Sequence, residues 1–157
     1  MAVAPALLDE DERAVWQTYR DLHRELSGAL ETQLLRDAGL SGAEYSVLVP
    51  LSHTPGGVLR ARDLCTSLGW DRSRLSHLIA RMEQRGLVAR EECSEDRRGS
   101  MLRLTDAGRD AVEGVAPAHS AAVRRWFFDQ LSAAELETLA TVFTRLLDTL
   151  RHEQRSP

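Results

Sequence analysis

The sequence contains no lysine, two cysteines and few aromatic residues. All twenty basic residues are arginine. Cys65 and Cys93 are too few for a disulfide framework, and neither lies in a CxxC pair or near a histidine at metal-ligand spacing. Aromatic residues make up 5% of the chain, and alanine and leucine dominate its hydrophobic 43%. This composition favours packed helices over a sandwich or barrel, with no metal or other cofactor.

Long hydrophobic runs and catalytic motifs are also missing. No stretch approaches the roughly 20 apolar residues that a membrane span needs, and no signal peptide is recognisable at the start. We therefore expect a cytoplasmic protein with no membrane partner. A Ser-His-Asp arrangement, paired catalytic carboxylates, a P-loop and a dinucleotide-binding motif are all lacking, so the sequence does not predict an enzyme.

Charge is distributed unevenly along the chain. The formal net charge is −4, but residues 60–103 carry ten arginines against seven acidic residues, a local excess of +3. The rest of the chain carries the balancing −7. A local positive surface can bind phosphates even though the whole protein is acidic.

Both ends of the chain predict long amphipathic helices. Hydrophobic residues recur every three or four positions over residues 9–36, and again after the capping box Ser132-Ala133-Ala134-Glu135. The pair Thr105-Asp106 begins another long helix, in which Pro117 predicts a kink or break. These helices are more apolar than solvent-facing helices need to be, so we expect them to pack against a second copy of the chain.

The middle of the chain predicts short helices followed by a β-hairpin. The expected elements are a helix from the capping box at Ser41, a short strand at 58–60, a helix at 61–68, a helix at 72–85 capped by Asp71, and strands at 87–92 and 101–104. Two adjacent helices followed by a charged hairpin form a winged helix-turn-helix. The predicted fold class is therefore mainly α with a small β-hairpin wing (α+β), with dimerisation helices at both termini. The predicted domains are a dimerisation helix at 9–38, a DNA-binding lobe at 41–104 and dimerisation helices at 105–152.

The helix at 72–85 gives the strongest functional signal. At about 100° per residue, its leucine, isoleucine and methionine residues share one face, and small or hydrogen-bonding residues occupy the opposite face. A polar face edged by arginine fits the major groove of DNA, where arginine can bond guanine while flanking residues contact phosphates. The alternative is an amphipathic helix whose polar face is only solvated. The residues predicted to contact DNA are Arg72, Ser73, Arg74, Ser76, His77, Arg81 and Gln84.

The tip of the hairpin is a second candidate for DNA contact. Arg97 and Arg98 can reach a minor groove or its phosphates, and Asp96 can hold the loop or orient an arginine. The alternative is an ordinary charged turn.

A series of short motifs runs along most of the chain. They are Leu40-Ser41, Glu44-Tyr45, Val47-Leu48, Arg62-Asp63-Leu64, Leu68-Gly69, Ser73-Arg74-Leu75-Ser76, Ile79, Arg81-Met82-Glu83, Arg85-Gly86-Leu87-Val88, Asp96-Arg97-Arg98-Gly99 and Leu104-Thr105-Asp106-Ala107-Gly108. In this order they resemble the MarR family of transcriptional regulators. The resemblance implies an obligate homodimer with interlocking terminal helices, a recognition helix at 72–85 and an Asp-x-Arg wing at Asp96 and Arg98. It also implies repression of nearby genes that ends when a small, often aromatic and anionic effector binds between the dimer helices and the DNA-binding lobe.

Four residues are candidates for binding such an effector. Trp16, Tyr19 and His23 share one face of the first helix and can line a pocket for a flat ligand, although dimer or domain packing is the favoured interpretation. Arg60 can pair with a ligand carboxylate or a phosphate, or it can be a surface arginine.

The leading hypothesis is a sequence-specific repressor that binds a palindromic DNA operator as a homodimer and is released by a small molecule. One alternative is a regulator that responds to thiol oxidation at Cys93, since Cys65 is expected in the core. Oxidant-sensing family members carry a cysteine near the start of the first helix, and no cysteine precedes Cys65 here. Another alternative is an interaction adaptor without DNA binding, which would tend to lose the arginines of the helix and wing.

Overall fold

Six α-helices and one three-stranded sheet make up the part of the chain that the computed structural model describes, residues 7–92 and 100–153. The helices are α1 (Glu10–Ala38), α2 (Gly42–His53), α3 (Ala61–Leu68), α4 (Arg72–Gln84), α5 (Asp106–Trp126) and α6 (Ala133–Glu153). The strands are β1 (Val58–Arg60), β2 (Val88–Glu92) and β3 (Ser100–Leu104), and short 3₁₀ helices lie at Pro55–Gly57 and Phe128–Gln130. The expected fold class, mainly α with a small β-hairpin, is confirmed.

The helix starts follow from side chains that satisfy free backbone N–H groups. At α1 the Asp9 carboxylate accepts a hydrogen bond from the Glu12 N–H at 2.8 Å, and Glu12 accepts one from the Asp9 N–H at 2.9 Å. Ser41 and Glu44 form the same reciprocal arrangement at α2. Gly39 ends α1 with φ of 62°, a left-handed conformation that glycine adopts without strain.

The sheet joins the hairpin to the helices. Its strand order is β1-β3-β2, and both pairs are antiparallel. Arg60, the last residue of β1, pairs with Met101 of β3, and α3 begins at the next residue, Ala61. The wing strands and the helix-turn-helix are therefore connected through β1 as well as through the chain between α4 and β2.

The hydrophobic core gathers residues from α2, α3, α4 and the sheet. Its largest fully buried side chains are Leu40, Leu48, Leu51, Leu64, Leu75, Met82, Leu102 and Val47. Cys65 belongs to the same cluster, as expected for a small core residue. The chain divides into two compact units, Met1–His119 and Ser120–Pro157, and this core lies in the first. The assignment of residues 9–38 and 105–152 to dimerisation stays a prediction.

Helix α5 is continuous through Pro117, so of the kink or break expected there, the break is wrong. Proline removes the hydrogen bond that its own N–H would donate to the carbonyl of Glu113, four residues earlier. Both residues are exposed, so water can satisfy that carbonyl and the cost of continuing the helix is reduced. The helix ends at Trp126, before the 3₁₀ turn that contains Gln130.

Large apolar side chains on α1 and α6 remain exposed in the single chain. On α1, Val15 is 70% exposed, and Trp16, Tyr19 and Leu22 are half exposed. Helix α6 has no buried residue, although its sequence is amphipathic. No described helix combines the length and hydrophobicity that crossing a bilayer requires.

Candidate nucleic-acid interface

Helix α4 is held at its start and along one face. The Asp71 carboxylate caps it by accepting a hydrogen bond from the Arg74 N–H at 2.8 Å. Its apolar residues, Leu75, Leu78, Ile79 and Met82, are all at most 3% exposed. The helix is thus anchored through its hydrophobic face, as the sequence predicts, and cannot turn without exposing that face.

The opposite face of α4, which we call the recognition face, is exposed. Its residues are Ser73, Ser76, His77, Ala80, Arg81 and Gln84. A groove of about 470 Å³ along this side is lined by Arg74, His77, Arg81 and Gln84, among others. The structure therefore brings four of the predicted DNA-contacting residues together on one accessible surface.

The arginines of this region fall into two groups. Within residues 7–92 and 100–153, Arg72, Arg74 and Arg81 have no carboxylate partner. Arg85 and Arg90 instead form ion pairs with acidic residues. The positive charges of the unpaired arginines are therefore available to bind a polyanion. Arg85 and Arg90 instead stabilise the fold of the DNA-binding lobe.

Arg85, at the end of α4, forms hydrogen bonds to the turn between α1 and α2. Its guanidinium donates to Glu44 Oε1 at 2.6 Å and to the Gly39 carbonyl at 2.8 Å. The Glu44 side chain is only 8% exposed and also accepts from the Ser41 N–H at 2.9 Å. Burial alone would raise the pKa of Glu44, but the hydrogen bonds from Ser41 and Arg85 outweigh it and lower the pKa.

Replacing Glu44 by glutamine is expected to lower the free energy of unfolding by about 1.5–3 kcal/mol at pH 7, the usual worth of a hydrogen bond to a charged group. Because the folded protein lowers the pKa of Glu44, its contribution is complete above the ordinary value of 4.5. It disappears as the pH falls below 4.5 through the lower folded value. Urea unfolding of both proteins from pH 7 to pH 3 measures this, and the difference between them should shrink towards acid.

Glu135 provides the matched control, because it closes a similar capping box with Ser132 on α6 but pairs with no arginine in the described part of the chain. Glu135→Gln should have a much smaller effect at pH 7. Equal losses in the two variants would show that the cap, rather than the pair with Arg85, accounts for the stability.

A second ion pair connects β2 to α4. The backbone N–H of Arg90 donates to Glu83 Oε1 at 3.1 Å, and its guanidinium Nε lies 3.3 Å from Glu83 Oε2. Cross-strand pairing of Arg103 with Glu91 stiffens the same hairpin. These contacts fix the base of the wing relative to the recognition helix.

A cleft of about 470 Å³ lies between α3, α4 and the sheet, and we call it the arginine cleft. Its lining includes Arg60, Arg62, Arg72 and Arg90, with the side chains of Leu75 and Ile79 as an apolar part. Arg62 and Arg90 are each paired with a carboxylate, whereas Arg60 and Arg72 have no carboxylate partner among the described residues. These two unpaired guanidinium groups favour an anion in the cleft. Arg60, a predicted effector residue, thus lies beside other cations rather than alone on the surface.

The three aromatic candidates on α1 form an exposed row. Trp16 stacks on Tyr19 with ring centroids 5.3 Å apart, and Tyr19 stacks on His23 at 6.3 Å. All three side chains are exposed, and none lines the arginine cleft. The structure keeps them together but does not place Arg60 with them.

Several sequence predictions fall outside the described residues, namely those for Cys93, Asp96, Arg97 and Arg98. Within the described residues, no group of three histidine, cysteine, aspartate or glutamate side chains could hold a metal ion.

Four residues of the site were not among the DNA-binding or effector-binding candidates predicted from the sequence. Arg62 and Arg90 line the arginine cleft, Arg85 fastens α4, and Trp70 contacts Arg74. The spacing of Trp70 and Arg74, four residues apart, was an available signal. The partners of Arg85 and Arg90 lie on other elements, and nothing in the local pattern identifies them.

Known proteins are similar to this chain in both sequence and structure. Residues 38–99 match the model of the MarR family. The crystal structure of AbsC, a MarR family transcriptional regulator from Streptomyces coelicolor, is 39% identical with a TM-score of 0.88, covering 94% of this chain and 99% of AbsC. Sco3205, a MarR family regulator from the same organism solved in complex with DNA, is 36% identical with a TM-score of 0.90, covering 95% and 93%. The transcriptional repressor MprA of Escherichia coli K12 is 26% identical over 119 residues, which are 75% of this chain and 66% of MprA.

Proposed function

Because the chain belongs to the MarR family of transcriptional regulators, we propose that it represses transcription by binding a palindromic DNA operator as a homodimer. DNA-binding regulators act where the chromosome lies, so the cytoplasm is its proposed location. In this proposal α4 enters the major groove, with Arg81, His77 and Gln84 at base edges and Arg72 at a phosphate. Arg97 and Arg98 contact the adjacent minor groove, and Asp96 orients them.

The observation that carries the proposal is the exposed recognition face. Its polar side chains lie opposite a fully buried apolar face, and Arg81 has no carboxylate partner in the described part of the chain. The solved complex of Sco3205 with DNA supports the same role for this chain. An adaptor that contacts only proteins would not need this unpaired arginine set.

The homodimer is supported by the apolar side chains left uncovered on α1 and α6. Burying such surface contributes about 25 cal/mol per Å², which favours association over exposure to water. A two-fold dimer presents two recognition helices, and contact on one face of DNA requires a separation of about 34 Å, one helical turn. The operator is therefore expected to be an imperfect palindrome.

Selection of bound duplexes from a random pool tests these points together. The expected result is enrichment of an inverted repeat with half-site centres about one helical turn apart. Recovery of unrelated duplexes with the affinity of the starting pool would contradict sequence-specific binding and would favour the adaptor.

We propose in addition that a small aromatic carboxylate releases the operator by binding in the arginine cleft, with Arg60 as one ligand of the carboxylate. Arg72 and Ser76 of α4 line the cleft. An anion bound there therefore competes with a DNA phosphate for Arg72. A ligand acts only through its different affinities for the bound and free states, and this competition supplies the difference.

For the Arg60→Ala variant, we expect the concentration of a benzoate-type ligand that releases half of the operator to be about tenfold higher. The reason is the loss of a charge-assisted hydrogen bond. Fluorescence anisotropy of a labelled operator, titrated with a panel of aromatic carboxylates, measures this. Tyr19→Ala is the matched comparison for the other candidate site, the aromatic row on α1. If only this variant loses the response, the effector binds on α1; if no carboxylate releases DNA from the unaltered protein, the effector proposal is wrong.

A further inference from the structure

Trp70 lies immediately before the cap of α4, and its ring supports an arginine of the DNA-binding surface. The Arg74 guanidinium carbon is 4.2 Å from the centroid of the Trp70 ring, a close cation–π contact. Arg74 lines the groove beside the recognition face together with His77 and Arg81. The contact therefore determines where one cation of that groove is held.

The ring itself is fixed to the lobe. Trp70 is partly buried against the hydrophobic core, and its backbone N–H donates to the Cys65 carbonyl at 3.0 Å. The next residue, Asp71, caps α4 through the Arg74 N–H. Both the backbone and the guanidinium of Arg74 are thus positioned by residues that precede the helix.

An aromatic partner differs from an acidic one in its effect on charge. Glu44 and Glu83 immobilise Arg85 and Arg90 but also neutralise them. The indole ring immobilises Arg74 through its face and leaves the positive charge and the N–H groups at the edge of the guanidinium free. A side chain held in this way loses less conformational entropy when it binds a phosphate.

We propose that Trp70 is a positioning residue for DNA binding, which holds the Arg74 guanidinium ready for a backbone phosphate without neutralising it. This inference rests on the proposed function. Trp70 is inferred to increase the affinity for DNA only through Arg74, and this effect is distinct from the role of Trp70 in packing.

A double-mutant cycle on the selected operator tests the inference. Trp70→Leu should weaken binding by about two- to tenfold per half-site, the cost of ordering one free arginine side chain. In the Arg74→Ala background the same substitution should have almost no further effect, because the residue through which it acts is gone. Trp70→Phe, which keeps a smaller aromatic face, should weaken binding less than Trp70→Leu.

Leu68→Ala is the packing control, since Leu68 is also partly buried against the core but has no aromatic face that could hold Arg74. Its effect should be the same with and without Arg74. Additive losses for Trp70→Leu and Arg74→Ala, or tighter binding by Trp70→Leu, would overturn the inference. Thermal unfolding identifies any variant that fails to fold. If Trp70→Leu fails, Trp70→Phe replaces it in the double-mutant cycle with Arg74→Ala. Failure of the unaltered protein to select a specific duplex would instead contradict the proposed function itself.

Discussion

Arg81→Ala should weaken binding to the selected operator by about 5- to 150-fold per half-site, while binding to random duplex falls far less. Arg81 is exposed on the recognition face and has no carboxylate partner among the described residues. A bidentate bond from arginine to guanine contributes roughly 1–3 kcal/mol of discrimination against the wrong base. Only the complex with the operator contains that bond, so the ratio of the affinity for the operator to the affinity for random duplex should fall. Gel shifts over a range of salt concentrations with both duplexes measure this ratio.

Arg72→Ala is the matched comparison, because Arg72 is an equally unpaired arginine of the same helix but lies at its first turn. As a phosphate contact it should weaken both duplexes to a similar degree and reduce the salt dependence by about one ion per copy. If Arg81→Ala also lowers both affinities equally, Arg81 contacts phosphate and does not read a base.

Gly108→Ala is expected to lower the free energy of unfolding by at least about 3 kcal/mol, the upper end of the usual cost of overpacking. A Cβ at this position would overlap the Leu87 carbonyl oxygen and lie 2.9 Å from Leu104 Cδ1. The obstruction is backbone, so no side-chain rotation relieves it. Moving α5 away would also stretch the bond that Thr105 Oγ1 donates to the Gly86 carbonyl at 2.6 Å.

Gly114 provides the control within the same helix, because a Cβ there meets nothing within 4 Å. Gly114→Ala should raise the free energy of unfolding by up to about 1 kcal/mol, the difference in helix propensity between the two residues. Urea unfolding at one fixed protein concentration compares the three proteins. A Gly108→Ala variant as stable as the parent would mean that α5 and Leu87, the residue before β2, are not packed as closely as the structure has them.

Local chemistry explains why much of the lobe could be predicted. Asp71 is a typical residue to cap the start of a helix, so it predicts that one follows. The spacing of Leu75, Leu78 and Met82 predicts that this helix has one buried side. The same reasoning placed the recognition face in solvent, because the polar residues occupy the other side. Hairpin strands were equally readable from alternating residues on either side of a charged loop.

Other features depend on contacts between distant parts of the chain. Glu44 and Arg85 are 41 residues apart, and each looks like an ordinary surface charge in its own segment. The arginine cleft forms only when β1, α3, α4 and β2 come together, so the sequence identified Arg60 but not Arg90. Pro117 shows the opposite case, in which a strong local signal for a break was overridden because the unpaired carbonyl lies at an exposed position.

The pairing of β1 with β3 has a consequence for operator architecture. Since β1 is hydrogen-bonded to the wing strand β3 and is followed at once by α3, the base of the hairpin and the helix-turn-helix form one unit. Under the proposed function, each protomer therefore presents α4 and the base of the wing to the operator at one fixed separation. Natural target sites should therefore conserve the number of base pairs inside each arm, while the spacer at the dyad keeps the half-site centres about one helical turn apart.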